Sequence, residues 1–167
     1  MPLLNILQFP DPRLKNIAEP VAHFDKDLET LINDMLETMY EAQGAGLAAI
    51  QVNVKKRVIV IDVSRGMDQP MHLVNPTFIA MRDTQIYEEG CLSFPGVWGK
   101  VKRAKEVDVA YYDKHGKRHE LTATGLLCNA LQHEIDHLNG ITFFDHLSPL
   151  KQQLLRKKLE KIRKKAL

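Results

Sequence analysis

The chain has 167 residues, 44% of them hydrophobic and 26% charged, with a formal charge of +2. This is an ordinary globular composition on a chain long enough to bury a core. It excludes an apolar run of the roughly 18–20 residues a membrane-spanning helix needs, and with only Cys91 and Cys128 it excludes a disulfide framework. The opening MPLLNILQFPDPRLK lacks a basic stretch followed by a continuous apolar one, so a mature cytoplasmic protein is expected. No internal repeat or low-complexity linker interrupts the sequence, and residues 1–167 are expected to form one domain.

In chain order, Leu28, Leu31, Ile32, Met35, Leu36, Met39 and Tyr40 fall at helical spacing and predict an amphipathic helix ending near Gly44 and Gly46. Arg57–Val63 is apolar and β-branched, the pattern of a buried strand. Shorter strands are expected around 71–75, 78–88 and 101–112, and Asp113–Gly116 reads as a hairpin turn between 107–112 and 117–122. Thr124 to Asn139 is helix-like, with Thr124 as N-cap and Gly140 as the stop. Ser148 can cap a last helix. This order predicts an α+β fold, with mainly antiparallel sheets packed around a central helix.

That central helix carries His133-Glu-Ile-Asp-His137. Residues four apart lie one above the other on a helix, so two imidazoles can bind one metal ion while Glu134 stands beside it as a base. The third ligand decides the chemistry. A metzincin needs histidine at the position occupied by Phe143, which cannot bind a metal. Glu160, the acid of the last helix, sits in a basic run, and His146 stays open as a ligand. Cys91, in Glu89-Gly-Cys-Leu-Ser93, supplies a better one. A lone cysteine is most often a small buried hydrophobe, as Cys128 reads, but Cys91 follows a glycine and has polar neighbours. One thiolate and two imidazoles leave a fourth position open, the mark of a catalytic rather than a structural site.

A third segment, Gly44-Ala-Gly-Leu-Ala-Ala-Ile-Gln51, brings small residues and one side-chain amide together. In order and separation, GAGLAAIQ, EGCLS and QHEIDHLNG resemble the three signature motifs of the peptide deformylases of bacterial type. The resemblance runs from Leu3 to the Ser148–Lys151 start of the last helix. It implies a metal-dependent hydrolase that removes the formyl group from the N-terminal formyl-methionine of nascent polypeptides. It also implies that Cys91, His133 and His137 bind the metal, and that Glu134 is general base and acid. Gln51, through its amide, and Leu92, through its N–H, would bind the developing oxyanion, and Gly46 would hydrogen-bond the substrate chain. Fe(II) is the implied native ion, whereas the ligand chemistry alone suits Fe(II), Co, Ni and Zn alike.

The family's methionine pocket maps here onto Ala45, Tyr87, Leu126, Asn129 and His133. Tyr87 and Asn129 stand where the family commonly has aliphatic residues, and Trp98 where it often has a polar or basic one. A more polar or reshaped pocket with weaker methionine preference is therefore expected. The last helix is the basic part of the chain: Lys151–Leu167 holds eight Lys or Arg and one Glu, or +7, leaving 2 − 7 = −5 for the first 150 residues. Leu154, Leu155, Leu159 and Ile162 form its apolar stripe. Bacterial relatives dock such a helix on the ribosome, which implies contacts by Lys157, Lys158, Lys161, Arg163, Lys164 and Lys165. Two alternatives remain, a zinc endopeptidase and an inactive metal- or ribosome-binding relative. A monomer is expected.

Overall fold

Four consecutive apolar residues, Val58–Ile61, form a strand with both faces buried, and the layers of the fold follow from it. The structure, a computed structural model, describes residues 3–166. Its helices are α1 (Lys26–Glu41), α2 (Gly125–Leu138) and α3 (Pro149–Ala166). Its strands are β1 (Gly46–Ala48), β2 (Val58–Ile61), β3 (Met71–Cys91), β4 (Phe94–Tyr112) and β5 (Arg118–Thr124). They make one five-stranded antiparallel sheet in the order β1-β2-β3-β4-β5. The α+β class is as expected, with a single sheet where several were anticipated.

Successive side chains of β2 point to opposite faces. Val58 and Val60 pack with Leu28, Ile32, Met35 and Met39 of α1. Ile59 and Ile61 pack with Leu131, Ile135 and Leu138 of α2 on the other side. Each of these α1 side chains is almost fully buried and contributes about 1.5–3 kcal/mol on leaving water. Asp25 caps α1 by accepting the Leu28 N–H at 3.0 Å.

The strands expected at 71–75, 78–88 and 101–112 are pieces of two long ones. Register shifts between Val74 and Thr77 and between Phe78 and Ala80, with Asn75 at φ +51°, break the period-two alternation on which a strand is read. A second irregularity matters more for the site. Glu89 pairs with Gly99 and Cys91 with Phe94, so Gly90 alone faces the four residues Pro95–Trp98. The ring of Trp98 lies where a Cβ on Gly90 would be, 2.1 Å from that position.

Helix α2 is buried on two sides. Thr124 occupies the expected N-cap position without a side-chain cap bond. At the other end Gly140 has φ +73°, and a Cβ there would lie 2.5 Å from the Lys15 carbonyl oxygen. The Arg57 guanidinium donates to the Leu138 carbonyl at 3.2 Å and to Asn139 Oδ1 at 3.1 Å, which suits the negative end of the helix dipole. Ser148 Oγ accepts the Lys151 N–H at the start of α3. Leu155 and Leu159 dock against Phe94, Phe143 and Phe144, but Leu154, read as part of that stripe, is 56% exposed.

Asp62 ties α1 to the segment that enters β1. Its carboxylate accepts from Tyr40 Oη at 2.5 Å, Ser64 Oγ at 2.5 Å and the N–H groups of Ser64 and Gln69, while its own N–H donates to Ala45 O at 2.9 Å. Burial works to raise its pKa, and these hydrogen bonds more than offset that and hold it below the ordinary value. Replacing Asp62 with Ala takes the acceptor from two part-buried hydroxyls and two N–H groups and should cost about 3 kcal/mol in urea unfolding at pH 7. Because the folded pKa is the lower one, the carboxylate stabilises the fold above the unfolded value of about 4. The gap between wild type and Asp62→Ala should therefore narrow as pH falls below that value.

Candidate metal centre

Helix periodicity turns two sets of α2 side chains to different surroundings. Leu131, Ile135 and Leu138 enter the core, while His133 and Glu134 line a cleft between α2, β1 and the β3–β4 turn and His137 is fully buried beside them. Cys91 ends β3, two residues after Glu89, and points at the same place. One ligand atom from each of Cys91, His133 and His137 can be chosen so that all lie within 4.8 Å of one another. Cys91 Sγ and His137 Nε2 are 3.4 Å apart, the spacing of about 3.4–3.7 Å that separates two ligands of a tetrahedral first-row ion. This donor set can hold one metal ion.

The supporting shell is unequal. His133 Nδ1 lies 2.8 Å from Glu89 Oε1, so its proton sits on Nδ1 and Nε2 is left to ligate. Burial opposes a charge on His133, but Glu134, Cys91 and Glu89 around it hold its pKa well above the ordinary imidazole value. His137 is fully buried, and burial together with neighbouring His133 drives its pKa well below that value. Its Nδ1 has no hydrogen-bond partner. Glu89 itself is buried; burial raises its pKa, yet hydrogen bonds from His133 and Arg103 bring it down to about 2.

Glu134 is the odd carboxylate. Burial pushes its pKa up to about 7, and Oε1 has no partner. Its other oxygen rests against Gly46, 2.5 Å from where a Cβ would stand. The glycine is required by this close approach rather than by backbone dihedrals. Gln51 completes the cluster from the 3₁₀ turn Ala49–Val52. Its Oε1 accepts the Ala48 N–H at 2.9 Å, and because an N–H can only donate, the orientation of the amide is fixed. Nε2 therefore faces Ser93 Oγ at 3.0 Å and Cys91 Sγ at 3.5 Å. Leu92 lies in the turn after Cys91, its carbonyl accepting from Gln8 Nε2 and its side chain packed where a Cβ on Gly44 would be.

The cleft has a volume of about 440 Å³. Ala45, Gly46, Gln51, Leu92, Asn129, His133 and Glu134 line it, with Trp98 on its wall. Tyr87 and Leu126 are not among its lining residues. Tyr87 is buried with its hydroxyl 3.3 Å from Ala104 O, and Leu126 is 71% exposed. The expected polar change in the pocket thus rests on Asn129, not on Tyr87. Phe143 stacks on His133 with ring centroids 6.1 Å apart and belongs to the core. His146 bonds Asp136 at 2.8 Å and stays outside the cluster. Sequence reasoning missed the network of Glu89, Arg103 and Asp136; only the Asn129-His133-Asp136 spacing on one helix face hinted at it.

A buried helix presenting two histidines one turn apart, a strand-end thiol and a free carboxylate defines a candidate metallohydrolase centre. The polypeptide deformylase family model matches residues 3–153. Peptide deformylases of Nitrosococcus oceani and Stutzerimonas stutzeri are 51% and 52% identical over 161 and 163 residues, covering 96% and 97% of both chains. The crystal structure of a Legionella pneumophila peptide deformylase superposes with a TM-score of 0.94 at 48% identity, covering 98% of this chain and 96% of that one. The chain belongs to the polypeptide deformylase family, a family of metal-dependent hydrolases. Gly46→Ala should displace Glu134 while leaving the core intact: hydrolysis should fall about 100-fold, with little change in melting temperature. Equal loss of both would make Gly46 a packing residue only.

Proposed function

We propose that the chain, as one catalytic domain ending in a basic helix over 148–167, removes the formyl group from N-formylmethionyl nascent peptides and releases formate. The observation that carries this reading is that Glu134 and Gln51 line one cleft beside the Cys91-His133-His137 cluster, within a chain about half identical to peptide deformylases. Cys91, His133 and His137 hold the metal, with Fe(II) favoured by family and Zn, Ni and Co compatible with the donors. When bound, the ion supplies Lewis acidity that makes water a nucleophile at neutral pH.

Glu134 accepts the proton of the attacking water as its oxygen bonds to the formyl carbon, and the carbonyl electron pair moves onto the formyl oxygen. Gln51 Nε2 and the Leu92 N–H donate to that oxygen; one such donor is typically worth about 2.7–4 kcal/mol of barrier. Collapse breaks the C–N bond, and Glu134 returns its proton to the departing amine. The Gly46 backbone holds the peptide, and Ala45 and Asn129 border the methionine side chain. All these groups come from one chain, which fits a monomer; action in the cytoplasm is proposed from the family resemblance. No helix of the described residues is long and apolar enough to cross a membrane.

Formate release from formyl-Met-Ala-Ser, assayed with Fe(II) under oxygen-free conditions, should be fast and should fall by about 10²–10⁴ in Glu134→Ala. Retained release in the variant would remove Glu134 from its role. Absence of release in the wild type, with metal bound, would sink the deformylase reading.

We further propose that α3 contacts ribosomal RNA. Lys157, Lys158, Lys161, Arg163, Lys164 and Lys165 are all exposed, and none forms an ion pair among the described residues. Phosphate contacts of this kind weaken linearly in log–log plots against salt. Changing Lys157, Lys158 and Lys161 to Glu should abolish cosedimentation with ribosomes at low salt and leave formate release intact; undiminished sedimentation would refute the contact.

A further inference from the structure

The carboxylate of Glu89 is 2% exposed and accepts four hydrogen bonds, the full complement of its lone pairs. Oε1 takes His133 Nδ1 at 2.8 Å and Arg103 Nη2 at 2.9 Å. Oε2 takes Arg103 Nε at 2.5 Å and Asn129 Nδ2 at 2.6 Å. A carboxylate only accepts, so the amide nitrogen of Asn129, not its oxygen, must face it. Arg103 grips both oxygens from one side. The other side is held at two points, Oε1 by His133 and Oε2 by Asn129, and these two residues sit one turn apart on the same face of α2. Remove Asn129 and the carboxylate keeps its Arg103 fork but can swing in the plane, loosening its hold on His133 Nδ1.

We propose that Asn129 is a positioning residue for the metal centre, acting through Glu89 to fix the ring of His133. This rests on the reading of His133 as a ligand. An aliphatic side chain would serve as well for a wall of the cleft and would lack the donor, so the amide at 129 exchanges an apolar wall for a tighter ligand mount.

Co(II) alone is the probe, its affinity measured by chelator competition and its site followed by visible absorption. Asn129→Leu keeps the branched shape of the side chain but removes the donor, and the apo melting temperature should stay near wild type. Co(II) affinity should fall about tenfold, in the range seen when groups behind a ligating histidine are lost, with a changed absorption spectrum. Asn129→Ala, which adds no bulk, should behave alike. In a Glu89→Gln background, Asn129→Leu should add less than about a twofold loss, because the two act as one unit. Wild-type Co(II) affinity in both Asn129 variants, or a tenfold loss that persists undiminished beside Glu89→Gln, would overturn the proposal. His133→Ala separates the two readings: wild-type affinity there would strike the assignment of His133 as a ligand, whatever Asn129 does.

Discussion

An ionised carboxylate cannot be taken out of water without several kcal/mol of compensation, and Glu89 is held at the meeting point of three elements on that condition. Arg103 from β4, His133 and Asn129 from α2, and Glu89 itself from β3 form one hydrogen-bonded unit. Arg103 passes the connection on to Asp136 at 2.9 Å, one turn further along α2. Cys91 follows Glu89 by two residues on the same strand. The carboxylate that orients one imidazole therefore also sets how far along β3 the thiol can sit relative to both imidazoles. Loss of the arginine alone would leave a buried charge unpaired, which is far more damaging than replacing the whole unit with apolar groups.

Where the centre does its chemistry, this satisfaction stops. Glu134 Oε1 and His137 Nδ1 are buried without partners, each a penalty of about 1–3 kcal/mol by the usual measure of an unmade hydrogen bond. A helix that tolerates both must be anchored elsewhere. Helix α2 is anchored by Leu131, Ile135 and Leu138 in the core beneath it and by Arg57 on its last carbonyl, that of Leu138. The contrast between Glu89 and Glu134 is environmental: two buried carboxylates lie near one another, one saturated and held ionised, the other unpartnered and pushed toward the neutral form. Such a divided pair is how a fold keeps one acid structural and frees another to exchange a proton.

Helical spacing and the spacing of His133 and His137 are local properties, which is why α1, α2, β2 and that histidine pair were legible in the sequence, whereas Cys91, on another strand, joined them through the motif resemblance. Contacts set by register were not. The bulge that brings four residues opposite Gly90 depends on how β3 meets β4, and Pro95-Gly96 announces a turn there but not its register. Tyr87 occupies a pocket position in the family pattern, but the strand turns its hydroxyl to Ala104 and away from the cleft. Leu154 shares the helical stripe of Leu155 and Leu159 in sequence, yet only the latter two reach the aromatic layer. Arg103 and Asp136 carry no local signal, because Arg103 joins Glu89 to Asp136 through contacts that are close only in space.

That aromatic layer links two parts of the molecule that the sequence presents as separate. Leu155 and Leu159 of α3 pack into the cluster of Phe94, Phe143 and Phe144, and the Arg156 guanidinium lies over the rings of Phe9 and Phe144 at 5.5 and 5.6 Å. Phe143 in turn stacks on the ring of His133 and meets Phe94 edge-on, with centroids 5.1 Å apart. The residue that rules out a third histidine after the helix motif is thus the packing floor of the first histidine. The basic helix and the candidate metal ligand press on opposite sides of one layer. Deleting α3 would open that layer as well as remove positive charge, so loss of either ribosome contact or hydrolysis after truncation would be ambiguous. Reversing exposed charges while keeping Leu155 and Leu159 leaves the layer closed, and only that kind of change can test the proposed ribosome contact apart from hydrolysis.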